Sequence, residues 1–226
     1  MPSVLFVLTS ADKNLVGGQT GFYLPEAAHP YYTFAPHANI DFASPKGPNP
    51  PVDKGSIEAS AKDDESVKFL NDTTVKSKLA NAKQLSNVNA KDYDAIFYVG
   101  GHGPVIDLPN DPVNVKLASE FYQSGKIIAA VCHGPAALLN VVGVEGKSIF
   151  SGKAFTGFSN AEEESINAVN SIPFLLETEI TKRGGKYEKA EQLWGAKVVV
   201  DGNLYTGQNP VSAKPLAEVI LKGLQK

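Results

Sequence analysis

The sequence contains one cysteine, Cys132, which ends the apolar run Ile127 to Val131 and is followed at once by His133-Gly134-Pro135. A thiol next to an imidazole can serve as a nucleophile whose proton the imidazole shares. The spacing Ala130-x-Cys132-x-Gly134 predicts a sharp strand-to-helix turn, because small residues two positions either side let a strained turn push its apex above the sheet edge. Residues Pro135 to Val141 read as the helix that leaves this turn, with N-terminal N–H groups facing the sulfur and favouring thiolate. The competing reading is an inert cysteine in a core strand. The adjoining histidine and Gly-Pro turn are not what the end of a core strand requires.

A second candidate stretch, Gly100-Gly101-His102-Gly103, comes directly after the apolar run Tyr93 to Val99. It does not fit G-x-G-x-x-G, and no acidic residue follows at nucleotide-binding spacing, so a dinucleotide site is not expected. Glycines after a strand let backbone N–H groups approach a ligand. Gly100, Gly101 and His102 are therefore candidates for holding an oxyanion beside Cys132, together with the N–H of His133. The alternative is a tight turn that needs a positive φ. Among acidic residues, Glu26 lies near the start of a helical stretch, Gly21 to Pro30, with His29 three residues on. Glu162-Glu163-Glu164 would ordinarily be a solvated helix N-terminus, well placed for the macrodipole. Four histidines (His29, His37, His102 and His133) have no metal-ligand spacing, so no metal site is expected.

The elements that must position these residues can be read from the patterning. Short apolar runs at Val4–Thr9, Ile40–Ala43, Tyr93–Val99 and Ile127–Val131 predict central strands buried on both faces. Between them lie the Gly21–Pro30 helix with Pro25 in its first turn, a Pro/Gly-rich loop from Ser44 to Gly55, and one polar helical stretch over 61–82. A polar connection from Asn81 to Asp92 comes next. A helix over Asp111–Ser124, closed by Gly125, leads into the Cys132 strand. Beyond it come a short strand at Ala154–Thr156, helices over Glu162–Asn170 and Pro173–Arg183, a hairpin turning at Asp201-Gly202, and a C-terminal helix from Ser212 to Leu224. Alternating strands and helices predict an α/β three-layer sandwich: a mostly parallel central sheet, helices on both faces, and a small hairpin insertion. Ligands in such sheets bind beyond the carboxyl ends of strands. Cys132 and the Gly100 turn are both strand ends, so they could share a site.

Composition narrows the class. A chain of 226 residues with 42% hydrophobic and 20% charged residues is read as a single domain, 1–226, able to bury a substantial core. Twenty-one basic and 24 acidic residues give a formal charge of −3, and no basic stripe appears, so nucleic acid is not an expected partner. A lone cysteine excludes an internal disulfide framework and fits a reducing compartment. The N-terminal stretch is a poor signal peptide, and no apolar run approaches the ~20 residues of a spanning helix. The expected location is cytoplasmic, with the nucleus open.

The segments Gly21 to Pro30, Gly100 to Gly103, Ala130 to Pro135, Lys153 to Phe158 and Asp201 to Pro210, taken together, resemble the ThiJ/PfpI superfamily, whose domain is of the class I glutamine amidotransferase-like type. More narrowly, they resemble its fungal heat-shock-protein-31-like branch, the glutathione-independent glyoxalases (glyoxalase III). The resemblance spans nearly the whole chain. It implies a flavodoxin-like fold, a homodimer, and a reactive cysteine flanked by a histidine and hydrogen-bonded to an N-terminal glutamate. Those roles fall on Cys132, His133 and Glu26. An acidic third partner follows the Thr156-Gly157-Phe158 segment, with Glu164 favoured and Glu163 next. The implied reaction converts methylglyoxal, a 2-oxoaldehyde, and water to lactate in reactive-carbonyl detoxification and stress response, and as an internal redox reaction it needs no cofactor. Members of the superfamily are also described as stress chaperones for unfolded clients. A cysteine peptidase or amidase, or a protein deglycase, could use the same Cys-His pair.

Overall fold

The computed structural model describes residues 1–225. Its strands are β1 Ser3–Val7, β2 Asn39–Ser44, β3 Lys83–Gln84, β4 Ala95–Tyr98, β5 Ile127–Val131, β6 Ala154–Phe155, β7 Lys186–Tyr187, β8 Val198–Asp201 and β9 Leu204–Gly207. Its α-helices are α1 Leu24–Phe34, α2 Lys54–Ala59, α3 Asp64–Asn71, α4 Thr73–Ala80, α5 Gly103–Asp107, α6 Pro112–Gln123, α7 Asn160–Ser165, α8 Leu176–Lys182 and α9 Ala213–Leu224. Seven strands form one sheet in the order β3-β2-β1-β4-β5-β9-β8, parallel throughout except for the β8 edge, which runs antiparallel to β9. The hairpin read around Asp201-Gly202 thus completes the main sheet, with Gly202 supplying the positive φ of 65° at the turn. β6 and β7 pair separately.

The centre of the sheet is buried because its strands β1, β4 and β5 carry no polar face. From Val4 to Leu8 and from Ala95 to Val99 every side chain is inaccessible. α1, α3 and α9 pack as one layer, with α9 lying on β5 and β9; α6 covers β4 and β5 from the other. Phe6 sits among Phe34, Phe42 and Phe97 with ring centroids 4.9–5.8 Å apart, joining strand and helix layers in one aromatic cluster. The chain leaves β1 toward β2 on one side and β4 toward β5 on the other. The crevice beyond the carboxyl ends of β1 and β4 is therefore the topological switch point of the sheet.

Several local expectations are corrected. The single helical stretch over 61–82 is two helices, because Asp63 and Asp72 each turn their side chain onto the amides that open the next helix. A further helix, α2, occupies the end of the Pro/Gly-rich loop under an Asp53 cap. The Asn81–Asp92 connection holds the two-residue edge strand β3 and two 3-10 turns. Helices expected over Glu162–Asn170 and Pro173–Arg183 shorten to α7 and α8. The turn after Cys132 is a 3-10 turn, Gly134–Leu138, rather than an α-helix. Pro30 lies inside α1, where its ring removes the bond to the Glu26 carbonyl, and the helix continues to Phe34.

Candidate active site

Cys132 stands at the end of β5 with φ +59°, a left-handed conformation that costs a non-glycine residue free energy and is held here from both sides. Its N–H donates to Gly207 O at 2.9 Å and its carbonyl accepts from Phe158 N–H at 2.8 Å. The small neighbours read from the sequence are required sterically: a Cβ on Gly134 would lie 2.6 Å from the Tyr98 carbonyl oxygen. Asn114, fully buried, anchors the 3-10 turn that leaves the elbow. Its Nδ2 donates to Leu108 O and Ala137 O, and its Oδ1 accepts the Tyr98 hydroxyl at 2.7 Å.

Glu26 reaches the same point from the first turn of α1. It is completely buried, and neither carboxylate oxygen meets a hydrogen-bond partner of good geometry; the Cys132 thiol and Gly100 N–H are the polar groups nearest to it. Its Oε2 occupies the space that a Gly100 side chain would fill, 2.3 Å from where that Cβ would stand. Gly100 is thus glycine for close approach, whereas Gly101 alone has the positive φ, +97°. Burial pushes the Glu26 carboxyl well above its ordinary range, and burial followed by the neighbouring Glu26 charge pushes the Cys132 thiol up as well. The Gly101 N–H, directed at the sulfur, opposes this rise. Two negative charges cannot share this site, so acid and thiol act as one pair that retains a proton between them. This corrects the expectation of a thiolate supported by a helix N-terminus: no α-helix follows, and the sulfur is buried.

His133 lies against the sulfur, with Nδ1 3.4 Å from Sγ, while Nε2 meets Glu163 Oε2 at 2.5 Å. The other Glu163 oxygen takes His102 Nε2 at 2.7 Å. With both imidazoles donating from Nε2, Nδ1 of His133 is left as the basic nitrogen facing Cys132. Burial pulls the His133 pKa below 6.5, against the attraction of the Glu163 charge. Burial also opposes ionisation of Glu163, but the two histidines prevail and hold its pKa down to about 2.

The three glutamates therefore separate into three environments. Glu162 closes a capping box with Ser159 and accepts from Asn209; Glu163 faces the histidines; Glu164 is exposed. Glu163, not the favoured Glu164, is the acid that meets the histidines, because the Ser159 cap fixes the helix register and the following residue is exposed. His102 supports Glu163 rather than offering its imidazole freely to an oxyanion. His29 faces away from the site and pairs with Asp63 at 2.7 Å. His102, His133 and Glu163 present ligand atoms within 4.8 Å of one another, a set that could take a divalent ion and that sequence spacing did not suggest. Their Nε2–carboxylate separations are those of hydrogen bonds, so the same groups also make a continuous proton relay.

A cavity of about 280 Å³ opens above Cys132. Tyr23, Asp53, Phe158 and Trp194 also line it; in the sequence Tyr23 and Phe158 stand out only as members of longer segments, and Asp53 and Trp194 do not stand out. Burial and then the Glu26 charge push the Tyr23 hydroxyl up to about 12, so it stays protonated and can donate. A signal was present for Trp194, the single tryptophan of the chain, but it lies in a segment with no periodicity.

The profile of the DJ-1/PfpI family matches residues 19–223. Among curated proteins, the glutathione-independent glyoxalase HSP31 of Saccharomyces cerevisiae is 34% identical, covering 95% of this chain and 94% of that protein. Among solved structures, the Rapid Encystment Protein 24 KDa of Francisella tularensis superposes with a TM-score of 0.93 at 38% identity, covering 99% of both chains. Glyoxalase III of Candida albicans superposes with a TM-score of 0.88 at 29% identity, covering 98% of this chain and 96% of that one.

Proposed function

The chain belongs to the DJ-1/PfpI family, and from that premise we propose that it is a glutathione-independent glyoxalase that converts methylglyoxal and water to lactate. The observation that carries this reading is the Glu26 carboxylate, completely buried against the Cys132 thiol and the Gly100 N–H, with no charged side chain among the described residues bonded to it. A peptidase needs its base on the nucleophile and on water. An internal redox reaction needs in addition a carboxyl group that can move a proton between adjacent carbons of the bound substrate.

In this reading Cys132 Sγ adds to the aldehyde carbon as its proton passes to Glu26. The carbonyl electron pair moves onto oxygen beside the Gly101 N–H, and Glu26 returns the proton there to give a neutral hemithioacetal. Ionised again, Glu26 takes the hydrogen on the former aldehyde carbon as a proton and delivers it to the neighbouring ketone carbon through an enediol, while the hemithioacetal hydroxyl proton passes to the former ketone oxygen. The first carbon is thereby oxidised to a thioester and the second reduced to an alcohol, so electrons balance within the substrate. His133 Nδ1 then takes a proton from water as the water attacks the thioester. Glu163 supports the imidazolium so formed, the C–S bond breaks, and the proton returns to the leaving sulfur. In the same proposal the working form is a homodimer located in the cytoplasm. Among the described residues no helix is long and apolar enough to cross a membrane.

The test is incubation of purified protein with methylglyoxal, without glutathione or added metal, with lactate followed by NMR. Lactate from wild type, and none from Cys132→Ala or Glu26→Gln proteins of native fold, is the expected result. Turnover that survives Cys132→Ala would end the proposal.

A further inference from the structure

Trp194 is held with φ +64°, a conformation that a bulky residue rarely adopts and that persists only when its surroundings impose it. Those surroundings are specific. Gly195 N–H closes a turn onto Gln192 O at 3.0 Å, and Gly195 O accepts Nδ2 of Asn209 at 2.8 Å. Asn209 is fully buried, its Oδ1 accepts the Ser212 hydroxyl, and the same Nδ2 reaches Glu162 Oε1 at 2.8 Å. At the other end of the segment, Ala190 N–H donates to Gln208 Oε1 at 2.8 Å. The turn that carries the indole is therefore pinned to the helix that carries Glu163.

This geometry presents an aromatic wall. The Trp194 ring meets Phe158 edge-on, with centroids 5.5 Å apart, and Phe158 lies 4.4 Å from the His133 ring. Phe158 is in turn bound to the Cys132 carbonyl, so the wall rises directly from the elbow. Trp194 lines the cavity and remains 39% exposed. That cavity, about 280 Å³, is many times the roughly 30 Å³ one water takes in the liquid. Room therefore remains beyond a three-carbon aldehyde seated on the sulfur. Among the described residues no lysine or arginine lines it, and the carboxylate that does, Asp53, opposes anions.

We propose that Trp194 is the specificity-determining residue of this site, selecting uncharged 2-oxoaldehydes with a flat apolar or aryl substituent over anionic oxo acids such as glyoxylate, whose carboxylate stands where the ketone would be. The proposal rests on the glyoxalase reading for the reacting group and on the Trp194–Phe158 wall for the substituent. The aldehyde carbon sits at Cys132, and the substituent lies along Phe158 toward the indole, where stacking binds it and excludes water.

The first arm of the test compares phenylglyoxal with methylglyoxal. The phenylglyoxal-to-methylglyoxal ratio of kcat/KM is expected to fall about tenfold or more in Trp194→Gly, which relieves the backbone conformation and removes the ring. Trp194→Phe should restore most of that ratio, which a purely structural role would not require. The second arm needs no turnover. Because Trp194 is the single tryptophan, its emission in the Cys132→Ser protein should be quenched saturably by phenylglyoxal and left unchanged by glyoxylate. A ratio that is the same in wild type, Trp194→Gly and Trp194→Phe would overturn the proposal. So would quenching that rises without saturating, or equal quenching by glyoxylate. Wild-type protein that turned over neither aldehyde would instead overturn the glyoxalase reading, and the titration would then decide this one alone.

Discussion

Replacing Gly100 by alanine tests whether the close approach of Glu26 to the elbow is built into the fold. An added Cβ would lie 2.3 Å from Glu26 Oε2, 2.5 Å from Val131 O and 2.8 Å from Cys132 Cβ. The carboxylate ends a side chain and can swing away, but the Val131 carbonyl belongs to the central strand β5 and cannot. Relief therefore needs both a displaced Glu26 and a shifted β4–β5 junction. Overpacking of this kind costs about 1–3 kcal/mol, and the backbone contact argues for the upper end. For a chain of this length that is a fall in Tm of about 6–12 °C. A displacement of about 1 Å of a group that transfers protons costs about 100-fold in rate, so lactate formation should fall at least that far. The assays are urea unfolding followed by tryptophan emission, and lactate by NMR. Gly143→Ala is the control: its Cβ would find its nearest neighbour, Tyr122 Cε1, at 3.5 Å, an ordinary contact, and its stability should stay within about 1 kcal/mol of wild type. A Gly100→Ala protein as stable and as active as this control would refute the reasoning.

Two further outcomes are expected. His133 must be neutral to accept a proton, so activity is lost as pH falls through its pKa, which burial places below 6.5. Glu163→Gln removes the charge that opposes this depression, so the acid limb of kcat/KM should move to still lower pH while kcat drops about 100-fold or more; a limb that stays put or moves upward would contradict the relay. Asn114→Ala leaves the Tyr98 hydroxyl and two carbonyls without their buried partner, and should cost about 3 kcal/mol in chemical denaturation; a loss below about 1 kcal/mol would contradict the anchoring role.

Much of this architecture is legible in the chain because burial on both faces leaves no other reading for runs such as Val4 to Leu8 and Ile127 to Val131. The elbow is legible because its steric demands fall on near neighbours, Ala130 and Gly134. The pairing of Glu26 with Cys132 stood out only through resemblance, since nothing local to a glutamate in a first helical turn says that a glycine far along the chain, Gly100, leaves space for it. The breaks in the 61–82 stretch were signalled by Asp63 and Asp72, whose capping outweighed a continuous helical pattern. The choice between Glu163 and Glu164 was not signalled by composition at all. It depends on one side chain, Ser159, that sets where the helix begins. Trp194 was hidden for another reason: its position is set by Asn209 and Gln208, distant residues acting on a segment without regular structure.

The run Glu162-Glu163-Glu164 has an evolutionary consequence. Three identical residues look interchangeable, and any one of them could be substituted conservatively without changing the apparent motif. Yet each step along a helix turns about 100°, so a one-codon insertion or deletion between Ser159 and the run would reassign all three at once. A deletion would bring Glu163 to the cap and Glu164 to the histidines, and an insertion would bring Ala161 to the cap and Glu162 to the histidines, so a glutamate faces the imidazoles in either case. The run therefore buffers the histidine contact against a slip of one position, and the segment should tolerate drift in residue type at its exposed position.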